Sequence, residues 1–293
     1  MALQSSGAIS IGNIATEFGG TQPHSLSEYY RNGSFVTSNN TNVPTSGTID
    51  LADFYGAVKQ SSVTISSSTT NLNVHTGVFG SDYTSSIPKL LIINSGVEIG
   101  ASSLSNYALN LPSGMGGTLT IQNAGTISGA GGDGSSSGTG GTGGTAIYIA
   151  SNNVTVTNTG TIRGGGGGGG KGANGASNID SNFSCVGGTG GAGGNGQGYD
   201  QSQSNGAGGG GRYAFLTYNP GAGLCAGPSC YFCDDQGIYT DGSDGGDGGT
   251  YGNAGSQGSG GGSAGGAAGK YIQLASGISY TLSNSGTLQG NAP

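Results

Sequence analysis

The spacing in this chain that most resembles that of a metal site belongs to Asp241, Asp244 and Asp247. Carboxylates three residues apart share one face of a helix with three residues per turn, and Ca²⁺ takes six to eight oxygen ligands. The stretch lacks the aliphatic positions of the Gly-Gly-x-Gly-x-Asp calcium repeat. We therefore expect a solvated acidic edge, with calcium binding as the weaker alternative, and no metal or cofactor.

Catalytic patterns are poorly supported elsewhere in the chain. His24 and His75 are the only histidines, and no Gly-x-Ser-x-Gly elbow accompanies them. Asp234 and Asp235 are adjacent, so in an extended strand they point to opposite faces and are badly placed to flank one glycosidic bond. The glycines and lysine of 164–171 lack the Gly-Lys-Ser/Thr ending of a phosphate-binding loop. We expect no enzymatic activity.

The cysteines are concentrated in one region, with three of them inside nine residues. Their spacing is not a standard zinc pattern, and no histidine lies nearby. One or two disulfides that hold an exposed loop are favoured, and free thiols and metal ligation remain as alternatives. The disulfide candidates are Cys185, Cys225, Cys230 and Cys233.

Aromatic residues gather in the same region: segment 199–251 holds eight of the 21 in the chain. Aromatic side chains on loops of a rigid scaffold are typical of recognition surfaces, because they offer large contact areas with few rotatable bonds. The alternative is that they pack on one another and cap a scaffold that lacks bulky side chains. The candidate receptor-binding residues are Tyr199, Tyr213, Phe215, Tyr218, Tyr231, Phe232 and Tyr239.

Composition limits both the fold and the partners. The 293 residues include 68 glycines, and only 32% are hydrophobic and 7% charged, which is little apolar material for a conventional core. The formal net charge of −7 argues against nucleic-acid binding. No leader-like segment opens the chain, and its longest aliphatic run is 90–93, so neither secretion by signal peptide nor membrane spanning is expected.

Glycine recurs with a period of three in segments 129–145, 186–196 and 246–261. Three residues per turn is the repeat of the polyproline II helix, which has no internal hydrogen bonds. Collagen needs only one glycine column and abundant proline, whereas two columns are glycine in 129–145 except at Ser135 and Ser137. A packed bundle of polyglycine II helices is favoured over a flexible linker, because a linker has no reason to keep this phase.

Strand patterns alternate with the glycine segments. LTIQNAGTISG at 119–129 matches VTVTNTGTIRG at 154–164 and YTLSNSGTLQG at 280–290. Each has alternating β-branched or apolar residues, an Asn-x-Gly turn and a second short strand. A weaker copy spans 90–100, and glycine-rich excursions follow at 129–145 and 164–269. We predict an elongated, mainly β protein with little helix, in which repeated strand units carry the glycine bundle. A plain parallel β-helix is the rival architecture.

The first 58 residues differ in composition and form a separate predicted α+β module. Residues 6–14 and 46–54 echo each other, and each copy contains polar residues that can cap a short helix. The predicted domains are this module at 1–58, a linker with the first strands at 59–104, and the glycine-rich domain at 105–293.

Segment 144–175, GTAIYIASNNVTVTNTGTIRGGGGGGGKGANG, resembles the glycine-rich half of the tail-fibre tip adhesins of T-even-type bacteriophages. The resemblance covers about 105–293 and implies a sandwich of polyglycine II helices whose distal loops recognise the host surface. The motifs TEFGG, HSLSEYYR and VPTSGTIDLADFYGA resemble the amino-terminal module of marine and cyanobacterial phage tail proteins, which implies virion attachment. In one departure from this resemblance, T-even-type adhesins carry a different, Trp-bearing amino-terminal domain, whereas this chain contains no Trp.

Together these features predict a phage tail receptor-binding adhesin, made in the host cytoplasm and carried on the virion tail. Its expected partners are a tail, baseplate or fibre protein, bound through 1–58, and a bacterial outer-membrane protein or glycan. We also expect a homotrimer. A purely structural tail subunit is the alternative function, followed by a polysaccharide depolymerase.

Overall fold

The computed structural model describes residues 2–179, 183–210, 213–216 and 240–293, and most of its strands lie in three parallel sheets. The first sheet contains β1 (Ser61–Ile65), β4 (Lys89–Ile93), β7 (Leu119–Asn123), β10 (Val154–Asn158) and β16 (Tyr280–Asn284). The second contains β2 (Thr69–Thr70), β5 (Glu98–Gly100), β8 (Thr126–Ser128), β11 (Thr161–Arg163) and β17 (Thr287–Gln289). The third contains β3 (Leu72–Asn73), β6 (Leu109–Leu111), β9 (Ile147–Ile149) and β15 (Ile272–Leu274).

The chain visits the three sheets in rotation, so each circuit is one coil of a parallel β-helix. The three copies of the strand pattern pair in exact sequence alignment, with Val154 opposite both Leu119 and Tyr280. The weaker copy begins at Lys89, which pairs with Leu119. Because the repeats fall in register, identical positions of successive coils stack on one another.

Aliphatic side chains fill the interior of the coils. Leu91, Ile121 and Val156 are neighbours in register on the first sheet, and all three are fully buried. Ile127 of the second sheet and Ile147 of the third belong to the same apolar cluster. Burial of one such side chain stabilises the fold by about 1.5–3 kcal/mol. The β-branched alternation of the sequence repeats therefore supplies this core.

An asparagine ladder follows one corner of the β-helix. Asn123 donates from Nδ2 to Oδ1 of Asn158, and Asn158 donates in the same way to Asn284, each at 2.7 Å. Asn158 is fully buried and Asn123 almost so. The Asn-x-Gly motif therefore turns the chain from the first sheet into the second and also links successive coils.

The glycine-rich segments are insertions at another corner, between the second sheet and the third. The first coil crosses this corner with Asn71 alone, and the next uses 101–108. The third coil inserts 129–146, and the fourth inserts 164–271. The strand platform and the β-helix, which the sequence presents as rival architectures, are thus one structure with the glycine-rich segments attached to it.

Lateral backbone hydrogen bonds join the glycine-rich segments at every third residue. Segment 165–173 donates in rotation to three different neighbours. The N–H groups of Gly165, Gly168 and Lys171 donate to the carbonyls of Gly144, Gly141 and Gly138 at 2.8–3.0 Å. Those of Gly166, Gly169 and Gly172 donate to Gln197, Gly194 and Gly191 at 2.8–2.9 Å. Those of Gly167, Gly170 and Ala173 donate to Asn253, Ser256 and Ser259 at 2.9–3.1 Å.

Close backbone approach explains why these segments are glycine. A Cβ atom on any residue of 164–170 would lie within 2.3 Å of a carbonyl oxygen of a neighbouring segment. Carbon atoms in ordinary contact stay about 3.5–4.0 Å apart. Farther along the chain, β12 (Asn178–Ile179), β13 (Phe183–Val186) and β14 (Tyr213–Leu216) form an antiparallel sheet in that order.

Two short helical turns follow β3: a π-helix at His75–Phe79 and a 3-10 helix at Gly80–Thr84. They bring Phe79 and Tyr83 into the apolar cluster of the β-helix. Lys89 is 1% exposed, and its ammonium donates to three backbone carbonyls nearby, of Ser85, Ile87 and Gly116, at 2.7–2.9 Å. Burial lowers the pKa of Lys89.

The first 58 residues contain α1 (Ile11–Phe18) and 3-10 helices at Leu26–Tyr29 and Leu51–Phe54. The echo in the sequence is realised as two capping boxes, Ser10 with Asn13 and Asp50 with Asp53. The described residues of this region contain no strand, only an isolated bridge between Arg31 and Val36, so the α+β expectation is wrong. A separate apolar cluster lies here, including Ile14, Phe18, Tyr29 and Phe54. No helix among the described residues has the length and apolar character to cross a membrane.

Candidate functional site

The end of the glycine-rich segments opposite the strands is where their turns meet. Segment 129–146 reverses direction at Ser135, whose Oγ accepts hydrogen bonds from the N–H groups of Ser137 and Gly138 at 3.2 and 2.8 Å. The backbone N–H of Lys171 donates to Gly138, so Lys171 lies level with this turn. Lys171 is eight residues beyond Arg163, the last residue of β11, which corresponds to roughly 25 Å at about 3.1 Å per residue.

A second turn lies beside Lys171. The N–H of Gly262 donates to Ser259 at 3.1 Å, with positive φ at the two glycines between them, and the N–H of Ser263 donates to the carbonyl of Lys171 at 2.8 Å. A polar cavity of about 300 Å³, which we call the distal cavity, lies between the two turns. It is lined by Ser137, Lys171, Gly172, Ala173, Asn174, Gly261, Gly262 and Ser263.

Lys171 supplies the positive charge of the distal cavity. Its Nζ donates to Oδ1 of Asn174 at 2.9 Å, and the same oxygen accepts the backbone N–H of Gly190 at 3.0 Å. Lys171 makes no ion pair with any residue that the structure describes. The cavity therefore presents a cation whose charge is not neutralised by those residues.

The acidic residues predicted to share one face serve partly as backbone acceptors. Asp244 accepts through Oδ1 from Gly209 at 3.0 Å, and Asp247 accepts from Gly206 at 2.9 Å. Both carboxylates are exposed, as is that of Asp241. No group of three or more His, Cys, Asp or Glu side chains suited to a metal ion occurs among the described residues. The common feature of Asp244 and Asp247 is the bond each makes to the adjoining glycine-rich segment.

Tyr199 lies near the strands and away from the turns. Its backbone N–H donates to Gly129 at 3.1 Å, directly after β8, and its ring packs on Gly100, where an added Cβ would be 2.0 Å from the ring. It remains 38% exposed. Tyr213 and Phe215 lie on β14, and their backbones pair with Val186 and Ser184.

The other predicted site residues have different positions. Cys185 lies on β13, where its backbone pairs with Asn178 and Ala214. The remaining candidate aromatics and cysteines fall outside the residues that the structure describes: Tyr218, Tyr231, Phe232, Tyr239, Cys225, Cys230 and Cys233. Asp234 and Asp235 also fall outside them. The receptor-binding and disulfide assignments therefore stay predictions.

A charged cluster at the base of the glycine-rich segments was not predicted. Arg163 donates to Glu98 at 3.0 Å and to the hydroxyl of Ser128 at 2.8 Å, and its guanidinium lies 3.7 Å from the centre of the Tyr251 ring. Burial raises the pKa of Tyr251, and the nearby arginine opposes that shift. The aligned repeats place Ser128 and Arg163 at equivalent positions, which is a signal that they are neighbours, but nothing in the sequence points to Tyr251.

The two histidines contact tyrosines of different apolar clusters. His75 stacks on Tyr83 beside the β-helix, with ring centres 4.8 Å apart. His24 lies in the first 58 residues, where its Nδ1 is 3.2 Å from the hydroxyl of Tyr29. The structure thus does not bring the histidines together.

Comparison with known proteins identifies the family. The family model of the phage tail fibre adhesin Gp38 matches residues 60–293. The chain belongs to this family. It is a receptor-binding adhesin of a bacteriophage tail fibre and is located in the virion tail. The expected resemblance to tail-fibre tip adhesins is thereby confirmed.

A solved structure shares the fold of the adhesin. A chain from the crystal structure of the gp37–gp38 adhesin tip complex of the bacteriophage S16 long tail fibre matches with a TM-score of 0.54 and 21% identity, and all of both chains is covered. No curated protein matches the sequence. Residues 1–59 lie outside the family match, although the structural match includes them.

Proposed function

We propose that the glycine-rich segments form a bundle of polyglycine II helices that projects the receptor-binding end of the adhesin away from the β-helix. The three-residue period of the lateral hydrogen bonds supports this assignment, because three residues per turn direct successive N–H groups to three different neighbours. Bonds among the glycine-rich segments of a single chain satisfy these groups. An elongated molecule follows from this arrangement.

The receptor contacts lie on the turns at the distal end, together with the segment of sequence that includes β14 and 217–239. The observation that carries this proposal is the convergence of the 135–138 and 259–262 turns beside Lys171, opposite the strands. Loops on a rigid scaffold are common recognition sites. The aromatic candidates of the sequence segment that begins with β14 are Tyr213, Phe215, Tyr218, Tyr231, Phe232 and Tyr239. The adhesin binds its receptor without cleaving it.

The first 58 residues attach the adhesin to the fibre. Their separate apolar cluster supports an independent module, and the similar solved structure is a complex of gp37 with gp38. The expected homotrimer stays a prediction. Because a single chain supplies the bonded neighbours within the bundle, trimer contacts would have to lie elsewhere.

Exchange of residues 212–240 for the corresponding segment of another Gp38 family member tests the receptor assignment. We expect altered adsorption of phage to a panel of bacterial strains, with unchanged incorporation of the adhesin into virions. Exchange of the exposed loop 102–105, near the strands, is the control and should leave adsorption unchanged. An unaltered strain range after the 212–240 exchange contradicts the assignment.

Two further outcomes separate the alternatives. Purified adhesin that is required for assembly but does not compete with phage for cells indicates a purely structural subunit. Reducing sugar released from host polysaccharide indicates a depolymerase. Deletion of 1–58 should remove the adhesin from virions, and retained incorporation would contradict the attachment role.

A further inference from the structure

The distal cavity is rich in hydrogen-bond donors. The ammonium of Lys171 has three N–H bonds, and within the described residues only Asn174 accepts one of them. The Oδ1 atom of Asn174 accepts from both Lys171 and Gly190, and its amide nitrogen donates to no described residue. The hydroxyls of Ser137 and Ser263 also line the cavity and make no hydrogen bond among those residues.

No negatively charged side chain occurs among the described residues that line the distal cavity. None of the eight residues around the cavity carries a carboxylate. A cation would therefore meet an uncompensated ammonium, whereas an anion would meet a positive charge, an amide N–H₂ and two hydroxyls. Hydrogen bonds between a charged donor and an anionic oxygen are roughly twice as strong as neutral ones. The electrostatics of the lining thus select a negatively charged oxygen ligand.

The remaining chemistry of the lining favours a sugar. Among the described residues, no aromatic or large aliphatic side chain lines the cavity, so this lining offers little for an apolar peptide side chain. Its volume of about 300 Å³ is at the small end of ligand pockets. Hydroxyl and amide donors beside one ammonium suit a single ring with several hydroxyls and one acidic substituent.

We propose that the distal cavity binds an acidic sugar residue of the host surface through its carboxylate or phosphate group. The proposal rests on the proposed receptor-binding role of the distal end. Lys171 neutralises the acidic group, Asn174 donates from its amide, and Ser137 and Ser263 bond to the ring hydroxyls. The chain as a whole carries a net charge of −7, so this recognition depends on a local positive charge and not on a basic surface.

The test uses the full-length adhesin and three probes: D-glucuronate, glucose 6-phosphate and, as the neutral control, glucose. Binding is followed through the side-chain amide NMR signal of Asn174. We expect one or both acidic sugars to shift this signal and glucose to leave it unchanged. A response to glucuronate indicates a carboxylate ligand and a response to glucose 6-phosphate a phosphate ligand, and either supports the proposal.

Three variants test whether the positive charge of Lys171 causes binding of the acidic sugar. Lys171→Gln should weaken binding of the acidic sugar about tenfold, the range expected when one charged hydrogen bond becomes neutral. Lys171→Arg should restore most of the affinity, and the exposed Lys59→Gln, which has the same charge change outside the cavity, should not alter it. Equal shifts with glucose, or an unweakened Lys171→Gln variant, overturn the proposal.

Adsorption to cells separates this inference from the function on which it depends. If the natural adhesin binds cells and Lys171→Gln binds them equally well, the acidic-sugar site is refuted and the adhesin role stands. If the natural adhesin binds no strain of the panel, the proposed role of the distal end fails. If Lys171→Gln loses adsorption while Lys171→Arg and Lys59→Gln keep it, the cavity proposal is supported.

Discussion

Replacement of Gly168 by alanine should disrupt the glycine bundle from its interior. The added Cβ would lie 2.0 Å from the carbonyl oxygen of Asp133 on the neighbouring segment. Contact distances of about 3.5 Å require the two segments to separate by roughly 1.5 Å. Gly168 is also bonded on both sides, because it donates to Gly141 at 2.8 Å and accepts from Gly266 at 2.7 Å.

The expected loss in the free energy of unfolding follows from these two backbone hydrogen bonds. A buried polar group that loses its partner costs about 1–3 kcal/mol, so loss of both bonds lowers the free energy of unfolding by about 2–6 kcal/mol. Whole domains are stable by only about 5–15 kcal/mol. The substitution should therefore cause a large fall in the guanidinium midpoint and faster amide exchange at Gly165–Gly172.

Gly208 provides the matched control, because it lies in a glycine-rich segment but at an exposed edge. A Cβ at this position would approach only Oδ1 of Asp244, at an ordinary 3.8 Å. Alanine should then be neutral or stabilise the protein by up to about 1 kcal/mol, because it restricts the unfolded chain. If Gly168→Ala and Gly208→Ala unfold at the same denaturant concentration, close lateral packing of the backbones is refuted.

Three further substitutions or titrations test the β-helix. Asn158→Ala should lower the free energy of unfolding by about 1–3 kcal/mol, because it removes the 2.7 Å bonds to Asn123 and Asn284. The buried amide of Asn123 keeps only the longer bonds to Gly125 and Thr161, at 3.3 Å. Lys89→Met should cost about 2–5 kcal/mol in the same measurement, because three carbonyls lose their shared donor. Burial raises the pKa of Tyr83 and Tyr251 above the ordinary 10.0. The stability that these two protonated side chains contribute is therefore complete below pH 10 and is lost as the pH rises through their folded pKa. Circular dichroism and phenolate absorbance between pH 9 and 12 should show unfolding together with ionisation of these buried tyrosines.

Exposed residues of the same type serve as controls for these substitutions. Asn152→Ala removes only exposed bonds from the N–H and the hydroxyl of Ser279, and Lys59→Met changes an exposed lysine, so each should cost less than about 1 kcal/mol. Equal losses for Asn158→Ala and Asn152→Ala would show that the ladder does not stabilise the coils. Ionisation of all 14 tyrosines by pH 12 without loss of structure would contradict the tyrosine prediction.

The strand repeats predict many strands of the β-helix, although the β-helix itself was only the rival architecture. The patterns at 119–129, 154–164 and 280–290 correspond to β7–β8, β10–β11 and β16–β17. Alternation predicts strands because it gives each strand one buried face. It does not say which strands become neighbours, so the assignment of these pieces to three separate sheets was not predictable from local pattern alone.

The distal cavity was harder to predict for a related reason. In the sequence, Lys171 only ends a glycine run that lacks the phosphate-binding motif, and nothing else in the local pattern gives it a role. Its neighbours Ser137, Asn174 and Ser263 are brought together by lateral hydrogen bonds between segments far apart in sequence. Glycine periodicity predicts that segments pack but does not fix which turns end at the same level.

The same lateral bonding explains how one chain can combine a fixed scaffold with a changeable binding end. Cohesion in the bundle comes from backbone groups, and it requires glycine only where a Cβ would meet another backbone, as at Gly168. At the turns this requirement relaxes: Gly138 and Gly261 have no atom within 4 Å of an added Cβ, although the positive φ of Gly261 still favours glycine. If the distal cavity binds the receptor as proposed, substitutions at Ser137 should alter recognition with little effect on the interior, whereas substitutions in 164–170 should do the reverse.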